Sequence, residues 1–352
     1  MTTLKTRLLE RISNEGPVPF EEYHRAALYD PEHGFFTSGS LRSAEEGDFL
    51  TSPEVSPLFG ETLAEFARRE RERLDDPGGF AVVDAGAGSG SLLRWLLQAE
   101  PLEAWAVELS QAARQALRAV LPADRVVPTL DDLSSPVTGV VFANELLDNQ
   151  PVALAVRSQG GWEERWVGTS DGGFELIPAP ARAPVVDWCD QFAGPVPDGG
   201  LVEVQLEAGK WLRMALSRLA VGSVVVIDYG DTATGLLPRR AAGTLRTYRS
   251  HHIGPDPLLD PGSVDVTVDV NFTALLGVAE EAANNVQLMR QEEFLTDLGL
   301  REQLRQLRHQ ELELARSGDD MARLEVRSLR VGAETLLHPR GLGDFRVLVA
   351  RL

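Results

Sequence analysis

The chain is poor in cysteine, in lysine and in long apolar runs, and each shortage removes a class of function. Its one cysteine, Cys189, permits no internal disulfide framework and no multi-cysteine zinc or iron–sulfur site. Lys5 and Lys210 are the only lysines, so 32 of the 34 basic residues are arginine, a compositional bias to which we attach no function. Basic charge is scarce altogether. Against 53 acidic residues the net charge is −19, which argues against a general affinity for nucleic-acid backbones or anionic membrane surfaces. The most apolar stretch, LAVGSVVVI at 219–227, falls far short of the roughly 20 residues a membrane-spanning helix needs. The start, MTTLKTRLLERIS, is charged and helical with no apolar leader, so the expected location is cytoplasmic. What is present suits a folded globule: 352 residues, 43% hydrophobic and 25% charged. That length fits about two domains, or one large α/β domain with insertions.

Residues 4–28 read as two helices broken at Gly16-Pro17, and 57–74 as a helix with Leu58, Leu63, Phe66 and Leu74 on one side. From 80 the pattern becomes regular: strands at 80–84, 103–108, 125–127 and 137–143, with helices at 91–99 and 110–121 between them. Such alternation predicts right-handed βαβ units and a mostly parallel sheet. After Pro151 it breaks. PVALAVRSQGGWEERWVG predicts a hairpin turned at Gly160-Gly161, and the Gly- and Pro-rich stretch 171–200 reads as an insertion without core elements. A helix at 203–220, a buried strand at 223–228, a helix at 272–282, a strand at 284–289, two helices in 291–316 and a final strand at 345–351 follow. The last strand is expected to close the sheet edge antiparallel.

Three motifs carry chemistry. The first is AVVDAGAGSGSLL, 81–93, where a strand ends in Asp84 and glycines follow at Gly86, Gly88 and Gly90. Glycine is needed where the backbone takes positive φ or a ligand must touch it, and a nucleotide-type ligand belongs at this strand end. A dinucleotide site would place its third glycine at 91, which is Ser91. G-x-G-x-G behind an acid instead resembles the motif of class I S-adenosylmethionine-dependent methyltransferases, whose ligand has no phosphate and carries an ammonium suited to Asp84. A tight turn with no ligand is the plainer reading. The second motif is WAVELS, where Glu108 stands 18 residues past Gly90, a distance at which an acid accepts hydrogen bonds from ribose hydroxyls; alternatively it complements the dipole of the next helix. The third is VVFANELLDNQPV, 140–152. Asn144 and Glu145, just past a central strand, could orient a nitrogen nucleophile, with Glu145 accepting paired bonds from a guanidinium. Helix capping by Asn144 or Asp148 is the alternative.

GDFLTSPEVSPLFGE (47–61), the glycine motif, ANELLDNQPV (143–152), GTLRTYRSHH (243–252) and VDVTVDVNFTAL (264–275) occur in that order, and together they make the chain resemble the MidA family along nearly its whole length. The resemblance implies a Rossmann-like class I methyltransferase core with S-adenosylmethionine as cofactor. The family's mitochondrial member is a protein-arginine methyltransferase that acts in respiratory complex I assembly, so a protein substrate such as a respiratory-complex subunit is implied as partner. The family has Glu where this chain has Asp84 and proline where it has Ala87. It reads N-E-x-x-D-A-L-P where Asn149-Gln150 replace the middle pair, and the region 128–132 is shortened, leaving Asp131 or Asp132 to approach adenine.

The expected organisation is an N-terminal helical cap with the SPE loop at 1–75, a core at 76–150 and 203–352, and an inserted subdomain at 151–202. Glu145 and Asn144 are the candidate catalytic pair. Asp84, Gly86, Gly88, Gly90, Glu108 and Asp131 are candidates for the cofactor, and Asp48, Ser52 and Glu54 for the substrate loop, although Ser52 could equally cap a helix before Pro53. No metal is expected. His251-His252 are adjacent and lack a third ligand, His33 reads as a turn residue, and Cys189 as a packed thiol. A nicotinamide-dependent oxidoreductase and a non-catalytic assembly factor that binds the cofactor are the competing functions.

Overall fold

The computed structural model describes residues 3–39, 51–249 and 252–352. Its centre is a seven-stranded sheet whose spatial order is Asn285–Arg290, Arg346–Arg351, Leu219–Asp228, Val137–Asn144, Phe80–Ala85, Glu103–Val107 and Val126–Val127. The strands up to 228 pair in parallel. Because side chains alternate across a strand, continuous apolar runs such as FAVVDA supply both faces at once. Val82, Val140 and Phe142 pack under Leu63, Phe66, Leu93 and Leu96 on one side. Val83, Val141 and Val226 meet Leu212, Leu216, Leu275 and Val278 on the other. The architecture is the Rossmann-like α/β core of class I methyltransferases.

From Phe80–Ala85 the chain first builds outward to 103–107 and 126–127, then crosses to 137–144 on the opposite side. That reversal opens a crevice at the carboxyl ends of 80–85 and 137–144. The final strand has the expected direction but not the expected place. Arg346–Arg351 lies between 219–228 and 285–290, antiparallel to both, and the edge is Asn285–Arg290.

A second, antiparallel sheet joins Val18–Pro19, Ala153–Ser158, Gly161–Ser170, Gly173–Pro180 and Leu201–Val204. The segment 171–200, read as an insertion rather than core, contributes the strand Gly173–Pro180 and the helix Ala183–Phe192. Its prolines conceal the strand, which they tolerate because 173–180 pairs only with 161–170 and is an edge. Residues 201–204 are a strand, and the helix expected from 203 is Leu206–Ser217. The N-terminal helices Leu4–Glu15 and Phe20–Tyr29 share a core with this sheet, where Leu4, Leu8 and Tyr23 pack with Val152, Leu154 and Val167. A helix at Asp320–Thr335, for which the sequence reading gives no element, packs on Leu300–Ser317. Among the described residues no helix is long and apolar enough to cross a membrane.

Candidate cofactor and acceptor site

The crevice holds a cavity of about 650 Å³ with Asp84, Glu108 and Glu145 in its wall. At its first end, Gly86, Gly88 and Gly90 have φ of 75°, 51° and 79°, the left-handed region that favours glycine. Their roles differ. Gly86 and Gly88 line the cavity. Gly90 caps the helix Ser91–Ala99, and a Cβ there would lie 2.8 Å from Leu117 Cδ2; it serves helix packing rather than a ligand. Asp84 is 3% exposed and its Oδ2 has no hydrogen-bond partner. Burial, aided by the charge of Glu108, pushes its carboxyl up to about 7. Glu108 accepts from the Gly88 N–H (2.9 Å) through Oε2 and from the Ser110 N–H (2.7 Å) through Oε1. It therefore shapes the glycine turn and holds Ser110, the N-cap of the helix Gln111–Leu117, while facing the cavity.

These groups fit S-adenosylmethionine. An orphaned buried carboxylate oxygen suits an ammonium, and the remaining lone pairs of Glu108 suit a ribose diol. Leu109, 46% exposed, lies with Pro128 and Leu130 along an apolar stretch of wall suited to adenine. A pyrophosphate would instead sit beside two carboxylates at the glycine turn, which argues against a dinucleotide. The expected contact at 131 is not made. Asp131 is exposed and outside the cavity wall, and Asp132 accepts from Thr129 N (3.0 Å) and Oγ1 (2.7 Å), leaving Thr129 and Leu130 to face the ligand.

At the other end, Val137–Asn144 delivers Asn144 and Glu145. Glu145 has φ of 50°, a strained value for a non-glycine residue of the kind concentrated at functional sites. Its Oε1 accepts from the Ser52 N–H (3.0 Å) and from Asn144 Nδ2 (3.1 Å). Burial raises its carboxyl to about 7; the Ser52 bond opposes the rise, while the nearby charges of Asp148 and Glu54 add to it. Asn144 Oδ1 is buried without a partner.

The SPE segment is brought to this end. Thr51, not Ser52, caps the short helix Ser52–Val55, with Glu54 Oε2 accepting from Thr51 N at 3.0 Å. Glu54 Oε1 accepts from Ser89 Oγ (3.1 Å), so the segment ties the glycine turn to Glu145. Asp48 and His251 lie outside the described residues. His252 is exposed, and among the described residues no three side chains are grouped to hold a metal. Cys189 is buried, and burial pushes its thiol up to about 12, as expected of a packed residue. Sequence reasoning missed four residues that frame the acceptor end: His24, Tyr29, Asp228 and Tyr229. Tyr29 donates to the Asn149 carbonyl at 3.3 Å. His24 bridges the Val152 N–H (3.3 Å) and the Val266 carbonyl (3.2 Å).

The family model described as "Putative S-adenosyl-L-methionine-dependent methyltransferase" matches residues 62–289. Among curated proteins, the mitochondrial protein arginine methyltransferase NDUFAF7 of Rattus norvegicus is 27% identical, covering 98% of this chain and 83% of its own length. The Homo sapiens protein of that name is 25% identical over 98% and 82%. A crystal structure from Burkholderia thailandensis, bound to S-adenosyl-homocysteine, is 30% identical and superposes with a TM-score of 0.84, covering 99% of this chain and 92% of its own. The expectation of a cytoplasmic location is overturned by the curated relatives, which are named as mitochondrial proteins. With the glycine turn, the orphaned Asp84 oxygen and the strand order already pointing the same way, the chain belongs to the MidA family of S-adenosylmethionine-dependent methyltransferases.

Proposed function

We propose that the methyl acceptor is the guanidinium of an arginine side chain in a protein. The observation that carries this reading is the character of the unsatisfied groups at the acceptor end. Asn144 Oδ1 is a buried acceptor with no partner, and the Glu145 carboxyl beside it lines the cavity; a guanidinium is a planar array of donors with no acceptor. The names of the curated relatives support the same acceptor.

Held by Asp84, Glu108 and the glycine turn, S-adenosylmethionine would supply an electrophilic methyl group for transfer to nitrogen. Glu145 and Asn144 orient the acceptor nitrogen so that its lone pair faces that carbon. Glu145 takes the proton that the nitrogen must lose, a role suited to a carboxyl near 7. The tie from the SPE segment to Glu145 fixes the carboxyl in place relative to the glycine turn. Labelled methyl transfer into cell extract, followed by hydrolysis and residue analysis, tests the reading. Label in methylarginine supports it; label confined to another residue, or to small molecules, overturns it.

A further inference from the structure

Glu145 sits in a backbone conformation that persists only where its surroundings over-determine it, and the source of that constraint is a carboxylate on the adjoining strand. Asp228 ends Leu219–Asp228 and is 0% exposed. Its Oδ2 accepts from the N–H groups of both Leu147 (2.9 Å) and Asp148 (3.2 Å), and its Oδ1 from the Tyr229 N–H (2.9 Å). One residue back on the same strand, the Ile227 carbonyl accepts the Glu145 N–H at 2.8 Å. Asp148 is then held from two further directions: Tyr229 donates its hydroxyl to Oδ2, and the Val268 N–H donates to the Asp148 carbonyl at 3.0 Å. Asn149 follows, with Nδ2 donating to Asp265 Oδ1 at 2.7 Å.

The N–H groups of Glu145, Leu147 and Asp148 thus all end on Asp228 or on Ile227 beside it. A buried carboxylate with no cation bonded to it is costly, and here Asp228 and Asp148 are buried side by side. Burial first and then the charge of Asp148 push the Asp228 carboxyl up, and burial likewise raises Asp148. Apolar packing alone would avoid this arrangement. It is explained if two convergent N–H groups of a left-handed turn need an acceptor that no backbone carbonyl can supply.

We infer that Asp228 is a positioning residue for methyl transfer: it pins the turn 145–148 and thereby aims the Glu145 carboxylate at the acceptor. The inference rests on Glu145 being at the acceptor end and not on the acceptor being arginine. Asp228 does not line the cavity, so it acts through the turn it holds.

Two variants separate positioning from general stability. Asp228→Ala removes the acceptor for both N–H groups. Asp228→Asn keeps a carbonyl oxygen that can accept both while removing the charge. We expect Asp228→Ala to bind S-adenosyl-homocysteine within about threefold of the parent protein, because the groups at Asp84 and Glu108 are untouched. Labelled methyl transfer into extract protein should fall by about 10²-fold, the scale of a misaligned reacting group. Amide hydrogen exchange at Leu147 and Asp148 should quicken by about tenfold or more in Asp228→Ala and stay near the parent rate in Asp228→Asn. Asp228→Asn should recover most of the transfer. Unchanged exchange at 147 and 148 in Asp228→Ala would overturn the inference whatever the acceptor proves to be. So would full transfer by Asp228→Ala, or an Asp228→Asn variant as impaired as the alanine with its exchange still slow.

Discussion

The buried carboxyl of Asp84 makes cofactor affinity depend on pH in a direction that can be stated beforehand. In the ligand-free protein this group is held up to about 7, by burial first and by Glu108 second. A ligand ammonium pairs with the ionised form, so below pH 7 the proton must be displaced for the pair to form. Affinity should therefore rise with pH. If the complex keeps Asp84 ionised down to pH 6, the linkage factor between pH 6 and pH 8 is roughly tenfold, or about 1.4 kcal/mol. S-adenosyl-homocysteine is the right probe, because it carries the ammonium but no sulfonium charge and so gives Glu145 no reason to contribute. Calorimetry at pH 6, 7 and 8 reads the slope directly. Asp84→Asn should weaken binding at pH 8 and flatten most of the slope, leaving only what Glu108 contributes. An affinity constant across this range, or the same tenfold slope in Asp84→Asn, would refute the assignment of Asp84 to the ammonium.

Glu145→Gln preserves size and removes charge; we expect near-parent binding of S-adenosyl-homocysteine and methyl transfer into extract lowered by roughly 10²-fold, and parent-level transfer would make Glu145 structural. Glu108→Ala removes one backbone bond at the glycine turn and one at Ser110 as well as the ribose acceptor, so cofactor binding measured by calorimetry should weaken by about 2–3 kcal/mol; a loss below about 0.5 kcal/mol would leave Glu108 with its role at the helix start alone. His24 is 1% exposed and burial lowers its imidazole to about 4. A folded-state value below the unfolded one of about 6.5 means its stabilisation is present above pH 6.5 and lost as pH falls toward 4, about 3 kcal/mol in all. Denaturant unfolding of His24→Gln at pH 7 and pH 5 should show a smaller acid-induced loss than the parent protein, and an equal loss would assign the acid sensitivity elsewhere.

The cofactor end was legible because its signals are local. A strand, an acid, glycines two apart and a second acid 18 residues on specify Asp84, Gly86, Gly88 and Glu108 without any knowledge of tertiary contacts. Even there the spacing could not separate Gly90, which accommodates Leu117, from the two glycines that face the ligand. Nor could it reveal that the acids at 131 and 132 turn away. The acceptor end was legible only as the pair Asn144 and Glu145. What aims the pair comes from residue 228 and what braces the following turn comes from residues 24 and 265–268, all distant along the chain, and no periodicity encodes such pairings. The second sheet was partly read, as a hairpin. Its prolines at 178 and 180 look like loop residues until the partner strand shows them to be on an edge.

The strand Arg346–Arg351, seated between Leu219–Asp228 and Asn285–Arg290, has a consequence for how the chain is made. During synthesis the strands at 219–228 and 285–290 exist well before the one that separates them. Until residue 351 emerges, each presents a row of unpaired N–H and C=O groups, and 219–228 is almost wholly apolar. Pairing them with one another would bury those edges in the wrong register, and closing that trap would exclude the last strand. Such late, long-range insertion slows folding and exposes a template for association between chains. A nascent or truncated chain lacking 346–351 should therefore depend on holdase chaperones far more than the complete one.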